Sequence, residues 1–323
     1  MTSLPATSTF SRLSAALPFW LSLGLVPLAV FAAMHGGWTI LLLPISTWYL
    51  FTGLDFVVGL DTKNPDPATP ESQLFWYKLI TLLWVPVQLI TIFGLMIYVV
   101  ATDHLSLFEQ WALFAGLGIL SGTIGITYAH ELMHQKPKSE RWLADILLAS
   151  VLYSHFRSEH LLVHHRYVAT PRDPVTARYG ESFWRFFPRV LYQCLTSAFN
   201  AEKAMLARKG LPWFHRSNPF WRYWALQTFM LLLAVLIGGF EGLLLFLADG
   251  QRTQRLLHPK HGVPKRYEAT VSGAIPDDLG ERLRVVPFKK RTAIAFEVDD
   301  AVRQAWLRDH LDLLPGLRPE PPT

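Results

Sequence analysis

Long apolar segments are the feature that most limits how this chain can fold. Crossing the hydrocarbon core of a bilayer takes a helix of roughly 20 apolar residues, and such runs recur along the chain. They lie at about 15–34, 38–59, 76–101, 107–129 and 220–238. A shorter run at 243–248 resembles the start of a sixth span but stops at Asp249. The sequence therefore predicts an all-α polytopic membrane helical bundle with five to six spans.

Short polar turns pair the first four spans into two hairpins. Gly36-Gly37 separates the first two spans, and Asp103-His104 separates the third from the fourth. Five basic residues then follow the fourth span, at Lys136, Lys138, Arg141, Arg157 and Arg166. Lys and Arg are enriched in cytoplasmic loops, so this end is predicted to face the cytoplasm from a bacterial inner membrane.

Composition changes abruptly after the fifth span. Residues 1–240 are predicted to form the membrane domain, and residues 241–323 a short soluble tail of mixed α/β or irregular structure. Alternating residues favour short strands at Tyr267–Val271 and Ile294–Val298. The last 75 residues hold thirteen basic and eleven acidic side chains, a net charge of about +2, so no nucleic-acid partner is expected. The single cysteine, Cys194, excludes an internal disulfide or a multi-thiolate metal site.

Two histidine clusters carry the chemistry. His130 and His134 lie in HELMHQ, at the end of the fourth span, and His160, His164 and His165 lie in EHLLVHH. Residues four apart share one face of a helix. Neutral imidazole is a ligand for iron, zinc and copper, and ionisable side chains at a membrane are usually functional. The sequence predicts a metal site with these five ligands and no further catalytic residue.

Carboxylates near the histidines are candidates to orient them. Glu131 and Glu159 each precede or follow a ligand directly, with solvation at a helix end as the alternative role. Asp55 lies inside the second apolar span, where a carboxylate needs a partner or a metal. HELMH also fits the HExxH pattern of zinc peptidases, but a peptidase site does not account for EHLLVHH.

The motifs around the histidines resemble those of the integral-membrane alkane 1-monooxygenases, relatives of the fatty acid desaturases. The similarity includes HELMHQ, SEHLLVHHRYVATPRDP, GESFWRFFPR and LDFVVGLDTKNP, and covers about residues 15–240. Val163 departs from the family, which usually has Gly before the HH pair. The resemblance implies a di-iron site at the five histidines, with Asp173 nearby. It also implies hydroxylation of the terminal methyl of an alkane, with electrons from a rubredoxin-type donor.

The downstream ligand motifs of that family do not occur in this chain. Neither an NYxEHYG-like nor an LQRHSDHH-like string is present, and His258 and His261 in HPKH are separated by a turn-forming proline. By this comparison about four of nine ligands are lacking, which predicts a truncated domain. Three functions stay open: a membrane di-iron monooxygenase acting on hydrocarbons, an inactive remnant, and a desaturase-type lipid-modifying enzyme.

The tail has resemblances of its own. Residues 248–278 are similar to the middle of the small-subunit rRNA pseudouridine synthases, and 288–302 are faintly similar to ParE/RelE-type toxins. If the first similarity begins at Glu241, the apolar run 243–248 is a strand and not part of a span. The tail is then of chimeric origin.

Overall fold

The computed structural model describes residues 9–58, 69–178 and 180–256, together with two short strands near the C-terminus. The chain divides into two compact units, Met1–His258 and Pro259–Thr323. Within the described residues, five helical segments are long and apolar enough to cross a membrane. These segments confirm the predicted all-α membrane bundle and make the chain an integral membrane protein.

The first four spans follow the predicted apolar runs closely, and three of them contain irregular turns. The first comprises α1 (Thr9–Trp20), a 3-10 turn and α2 (Leu25–His35). The second comprises a 3-10 turn (Gly37–Leu41), α3 (Leu42–Ile45), a π-helical turn (Ser46–Leu50) and α4 (Phe51–Val58). The third is α5 (Phe75–Ala101), and the fourth joins α6 (Leu107–Leu120), a π-helical turn (Ser121–Gly125) and α7 (Ile126–Met133).

The segment between the fourth and fifth spans is also helical. It contains α8 (Lys138–Ser150), α9 (Phe156–Glu159), a π-helical turn (His160–His164), α10 (His165–Tyr167) and α11 (Phe183–Ala207). The last helix of this unit is α12 (Phe220–Leu256). Helix α8 packs against α5, α7 and α12 and is not among the five helices long enough to span.

The turns of the two hairpins meet at one end of the bundle. Helix α6 begins with a capping box, in which the Ser106 hydroxyl accepts from the Glu109 amide and Glu109 accepts from the Ser106 amide. The same carboxylate accepts from the Gly37 amide at 2.6 Å, beside the positive φ angles of Gly36 and Gly37. The end of α7, which carries the first histidines, therefore lies at the opposite end of the fourth span.

Helix α12 folds back on itself at Gly238-Gly239. Gly239 has a φ of 59°, and neither glycine has helical backbone angles. Residues after the break return along the first half, so a Cβ on Gly242 would lie 2.5 Å from the Ala234 carbonyl oxygen. The returning half is buried at Leu245 and Phe246. The end of the predicted fifth apolar run at residue 238 coincides with this break, whereas a strand at 243–248 is wrong, because packing in the bundle favours a helix there.

A buried amide side chain, Gln88, makes internal hydrogen bonds at the centre of the bundle. Gln88 of α5 accepts from the Trp84 indole at 2.8 Å and donates to the Ser150 hydroxyl at 2.8 Å. A Cβ on Gly125 would lie 2.1 Å from the Gln88 side-chain oxygen, so glycine is needed for the amide to fit. These bonds offset the cost of burying an amide and join α5 to α8, and the close approach at Gly125 packs the amide against the fourth span.

The second unit is described only at β1 (Arg284–Val285) and β2 (Phe296–Glu297), which pair antiparallel. Strand β2 lies within the predicted strand Ile294–Val298. The other predicted strand, Tyr267–Val271, lies outside the described residues, as do His258 and His261. The module boundary after residue 240 stays a prediction, and α12 continues across that position.

Candidate metal centre

The first histidine pair lies at the end of α7. His130 is in its last turn, and His134 caps the helix. Because four residues make about one turn, the two rings lie on one face, with their centroids 4.7 Å apart. The apolar body of the span fixes this face, since Tyr128, Ala129, Leu132 and Met133 are buried.

The second cluster lies in a π-helical turn, a geometry that the sequence analysis missed. In a π-helix the residue at i+5 comes back above residue i. The Nε2 atoms of His160 and His165 consequently lie 2.9 Å apart. The His160 and His164 rings also stack, with their centroids 5.2 Å apart. The wider turn thus brings all three histidines to one side, where an α-helix favours only the i, i+4 pair.

The two clusters converge on His160. Its Nε2 lies 2.9 Å from the Nε2 of His130 as well as from that of His165, and the His134 and His165 ring centroids are 5.0 Å apart. One ring nitrogen each from His130, His134 and His160 lies within 4.8 Å of the others. Within the described part of the chain, this trio has the arrangement of a metal site.

Asp173 orients one of the five imidazoles. Its Oδ2 accepts from His164 Nδ1 at 3.0 Å, which leaves the His164 Nε2 lone pair available to a metal ion. The carboxylate is buried and also accepts from the Val175 amide and the Thr176 hydroxyl. The ATPRDP motif therefore provides a rigid turn that holds this carboxylate against the ring.

Replacing Asp173 by asparagine should weaken metal binding by about tenfold. Asparagine keeps the shape and an acceptor oxygen but removes the charge that makes the His164 ring a better ligand. Metal retained after dialysis against a graded chelator series measures the change. Asp103→Asn, at an exposed turn remote from α7, serves as the control. Equal retention by wild type and Asp173→Asn contradicts this role.

The two acids beside the histidines differ in their surroundings. Glu131 is exposed, and its Oε1 lies 3.2 Å from His130 Nδ1. Glu159 is 1% exposed, and neither carboxylate oxygen has a hydrogen-bond partner among the described residues. Burial, with the nearby charge of Asp173, raises the pKa of Glu159 to about 7. The side chain of Asp55 is outside the described part, so its role stays a prediction.

Two of the histidines, His134 and His160, are held in the form that binds metal. Burial lowers the pKa of His160 to about 3, and the four neighbouring imidazoles add to this effect. Burial also lowers the pKa of His134, with smaller contributions from His130 and His165. These two rings are therefore neutral at pH 7, with a nitrogen lone pair to donate.

Two of the remaining histidines, His104 and His215, lie outside the cluster. His104 contacts the Ala33 carbonyl at the far end of the bundle, and His215 accepts from the Ser217 amide. The sequence analysis gave no role to Asp145 and Glu202, which lie buried in α8 and α11. Their signal was a lone acid among apolar neighbours, as in LADILL and LTSAFNAEKAML.

One family model matches the part of the chain that carries the histidines. Residues 104–250 match the family model described as fatty acid desaturase. The match includes all five histidines, Asp173 and every element from α6 to the second half of α12.

The individual proteins to which this chain is similar include several alkane 1-monooxygenases. The chain is 34% identical over 242 residues to alkane 1-monooxygenase 1 of Pseudomonas aeruginosa, covering 67% of this chain and 60% of that protein. It is 32% identical over 248 residues to alkane 1-monooxygenase 2 of the same organism, covering 75% and 63%. With alkane 1-monooxygenase 1 of Alcanivorax borkumensis, identity is 36% over 187 residues, covering 57% and 46%. The chain is thus related to the membrane alkane monooxygenases, which confirms the resemblance.

The lengths matched are partial. The chain spans between about half and two thirds of these curated relatives. A separate similarity, 41% identity over 78 residues, relates 24% of this chain to 26% of an uncharacterized RNA pseudouridine synthase of Mycobacterium bovis. This gives weak support to the predicted origin of the tail, and the ParE/RelE similarity stays a prediction.

Proposed function

We propose that this chain binds iron through its histidine cluster and hydroxylates the terminal methyl of an alkane or a related hydrocarbon chain. The observation that carries the proposal is the convergence of five imidazoles from two helical segments at one end of an apolar bundle. Similarity to alkane 1-monooxygenases across the same region supports the choice of reaction.

The donor set fits iron. Imidazole nitrogen is a ligand for iron, and the trio of His130, His134 and His160 would hold one ion. His164 and His165 would serve a second ion, with Asp173 keeping the His164 ring in place. When bound, iron supplies the activation of dioxygen that an unreactive C–H bond requires. The protein residues keep the His134 and His160 imidazoles neutral, hold the His164 ring through Asp173 and surround the site with apolar helices.

The apolar bundle is suited to a hydrocarbon substrate. An alkane offers no hydrogen-bonding group, so its recognition depends on shape and on removal of apolar surface from water. At about 25 cal/mol per Å² of buried surface, an alkane chain would bind by burial alone. Membrane lipid around the spans would deliver such a substrate, because alkanes partition into the bilayer.

Electron supply and orientation are part of the same proposal. A rubredoxin-type protein would deliver electrons at the histidine end of the bundle. The basic residues that follow α7 support placing this end in the cytoplasm, with the spans in a bacterial inner membrane. Lys136, Lys138 and Arg141 are the first of these, immediately after the first histidine pair.

A desaturase-type reaction is the second candidate, favoured by the family model that residues 104–250 match. Both reactions begin at a C–H bond of a hydrocarbon chain, so the product distinguishes them. Hydroxylation gives a terminal alcohol, whereas desaturation gives an alkene.

The test is metal and product analysis of the full chain in lipid nanodiscs. We expect bound iron and conversion of a medium-chain alkane to its 1-alcohol with NADH, rubredoxin and rubredoxin reductase. The matched control is the double variant His130→Ala, His160→Ala. Absence of iron from the wild type would overturn the proposal. Iron with an alkene product supports the second candidate, and iron without either product identifies a site that binds metal but does not catalyse.

A further inference from the structure

A buried carboxylate joins three helices close to the second histidine cluster. Asp145 of α8 is fully buried, and its Oδ2 accepts a hydrogen bond from Arg157 Nη1 at 2.7 Å. The same oxygen lies 2.8 Å from Arg222 Nε of α12. Arg157 belongs to α9, so one carboxylate oxygen connects α8, α9 and α12.

Further contacts restrict the two guanidinium groups. Arg157 Nη1 also lies 3.4 Å from the carbonyl oxygen of Arg141, in the first turn of α8. The Arg222 guanidinium packs over the Trp142 ring, with its carbon 4.9 Å from the ring centroid. Besides its ion pair with Asp145, each arginine therefore has a second contact with α8: a backbone carbonyl for Arg157 and an aromatic ring for Arg222.

The next residue along α9 is bound from two other sides. The Ser158 hydroxyl donates to Glu202 of α11 at 2.6 Å and lies 3.0 Å from the Tyr223 hydroxyl of α12. All three side chains are buried. Arg157 and Ser158 together connect α9 to α8, α11 and α12.

These contacts determine where His160 lies. Helix α9 has only four residues and continues directly into the π-helical turn that begins at His160. A helix this short has little stability of its own, so its position depends on tertiary contacts. Helix α8 packs against α7 as well, which carries His130. Helix α8 therefore contacts the segments that carry both histidine clusters.

We infer that Asp145 is a positioning residue for the metal centre: through Arg157 it fixes His160 relative to His130, and so sets metal affinity and ligand geometry. The inference rests on the proposed metal site. A buried ion pair is seldom the most stabilising choice at a packed position, and its directional bonds fix an arrangement that apolar packing leaves looser. That directionality matters here because His160 must approach His130 and His165 at once.

The test uses Co²⁺ as a spectroscopic probe of the full chain in detergent. Asp145→Asn removes the charge but keeps the side-chain shape. Glu140→Gln is the matched control, since Glu140 is a buried carboxylate of the same helix that pairs with Lys78 at 2.8 Å. We expect Asp145→Asn to weaken Co²⁺ binding by about tenfold or more and to alter its visible absorption bands. Glu140→Gln should bind Co²⁺ as the wild type does, even if its melting temperature falls equally.

Two further variants keep the inference testable if Asp145→Asn does not fold. Asp145→Glu retains the charge and should recover part of the affinity. Arg157→Lys retains an ion pair but loses the forked geometry, and should weaken Co²⁺ binding severalfold. If Arg157→Lys and a folded Asp145→Asn both bind Co²⁺ with wild-type affinity and an unchanged spectrum, the positioning role of Asp145 is overturned. The proposed metal site is not affected by that result. Failure of the wild type to bind Co²⁺ would instead contradict the metal site, and the inference with it.

Discussion

Replacing His160 by alanine is expected to remove bound metal and with it any turnover. The His160 ring contacts all four other histidines of the site, and its Nε2 is 2.9 Å from both His130 and His165. No other ring of the five has a nitrogen 2.9 Å from the nitrogens of two other rings. Affinity should fall by more than the roughly 10- to 100-fold that is typical when a residue only orients a ligand.

Metal content of the purified variant, measured with that of the wild type, tests this expectation. His215→Ala is a suitable control, because His215 lies in the turn before α12 and its ring accepts from the Ser217 amide. That variant should keep its full metal content. Undiminished metal in His160→Ala would show that the central ring of the cluster is not a ligand.

Replacing Gly242 by alanine is expected to destabilise the membrane unit strongly. The new Cβ would lie 2.5 Å from the Ala234 carbonyl oxygen and 3.5 Å from Met96 Sδ. A backbone oxygen within a helix cannot move aside without breaking hydrogen bonds, so the returning half of α12 must shift. Overpacking of this kind costs about 1–3 kcal/mol, and the displaced Phe246 would lose its stacking on Phe93.

Thermal unfolding in detergent measures the effect. A loss of about 2 kcal/mol corresponds to a melting temperature lower by roughly 4–8 °C in a unit of this size. Gly94→Ala is the matched control, because it lies inside α5 with no atom within 4 Å of its new Cβ. It should melt at the wild-type temperature or above, since alanine favours helix. Equal melting of both variants would mean that α12 does not fold back at Gly239.

The sequence was most informative where one physical effect dominates. Apolar length predicted the first four spans, because a bilayer leaves a chain few other ways to satisfy its backbone. Helical spacing also brought His130 and His134 together correctly. The end of the fifth apolar run at residue 238 was visible in the sequence. The reversal of the chain at that point was not, because apolar content alone does not distinguish a bent helix from one that returns.

The parts of the site that escaped prediction depend on backbone irregularity or on distant contacts. The apolar-polar pattern of EHLLVHH suits an α-helix, and nothing in its composition indicates a π-helical turn. The Asp145–Arg157 bond joins residues twelve apart across a chain reversal. Its position becomes apparent only once α8 and α9 are packed together, because the apolar neighbours of Asp145 indicate burial but do not identify Arg157 as its partner.

The π-helical turn at His160–His164 makes the spacing of this segment as important as its composition. A π-helical turn holds one residue more than an α-helical turn, so the loss of any one residue between His160 and His164 would convert it into an ordinary α-helical turn. His164 would then follow His160 by three residues instead of four and could not keep its present stacking on that ring, although every ligand would still be encoded. Single-residue insertions and deletions at Leu161–Val163 are therefore expected to be less tolerated than apolar substitutions at the same positions. In this segment the number of residues, and not only their identity, determines whether the imidazoles converge.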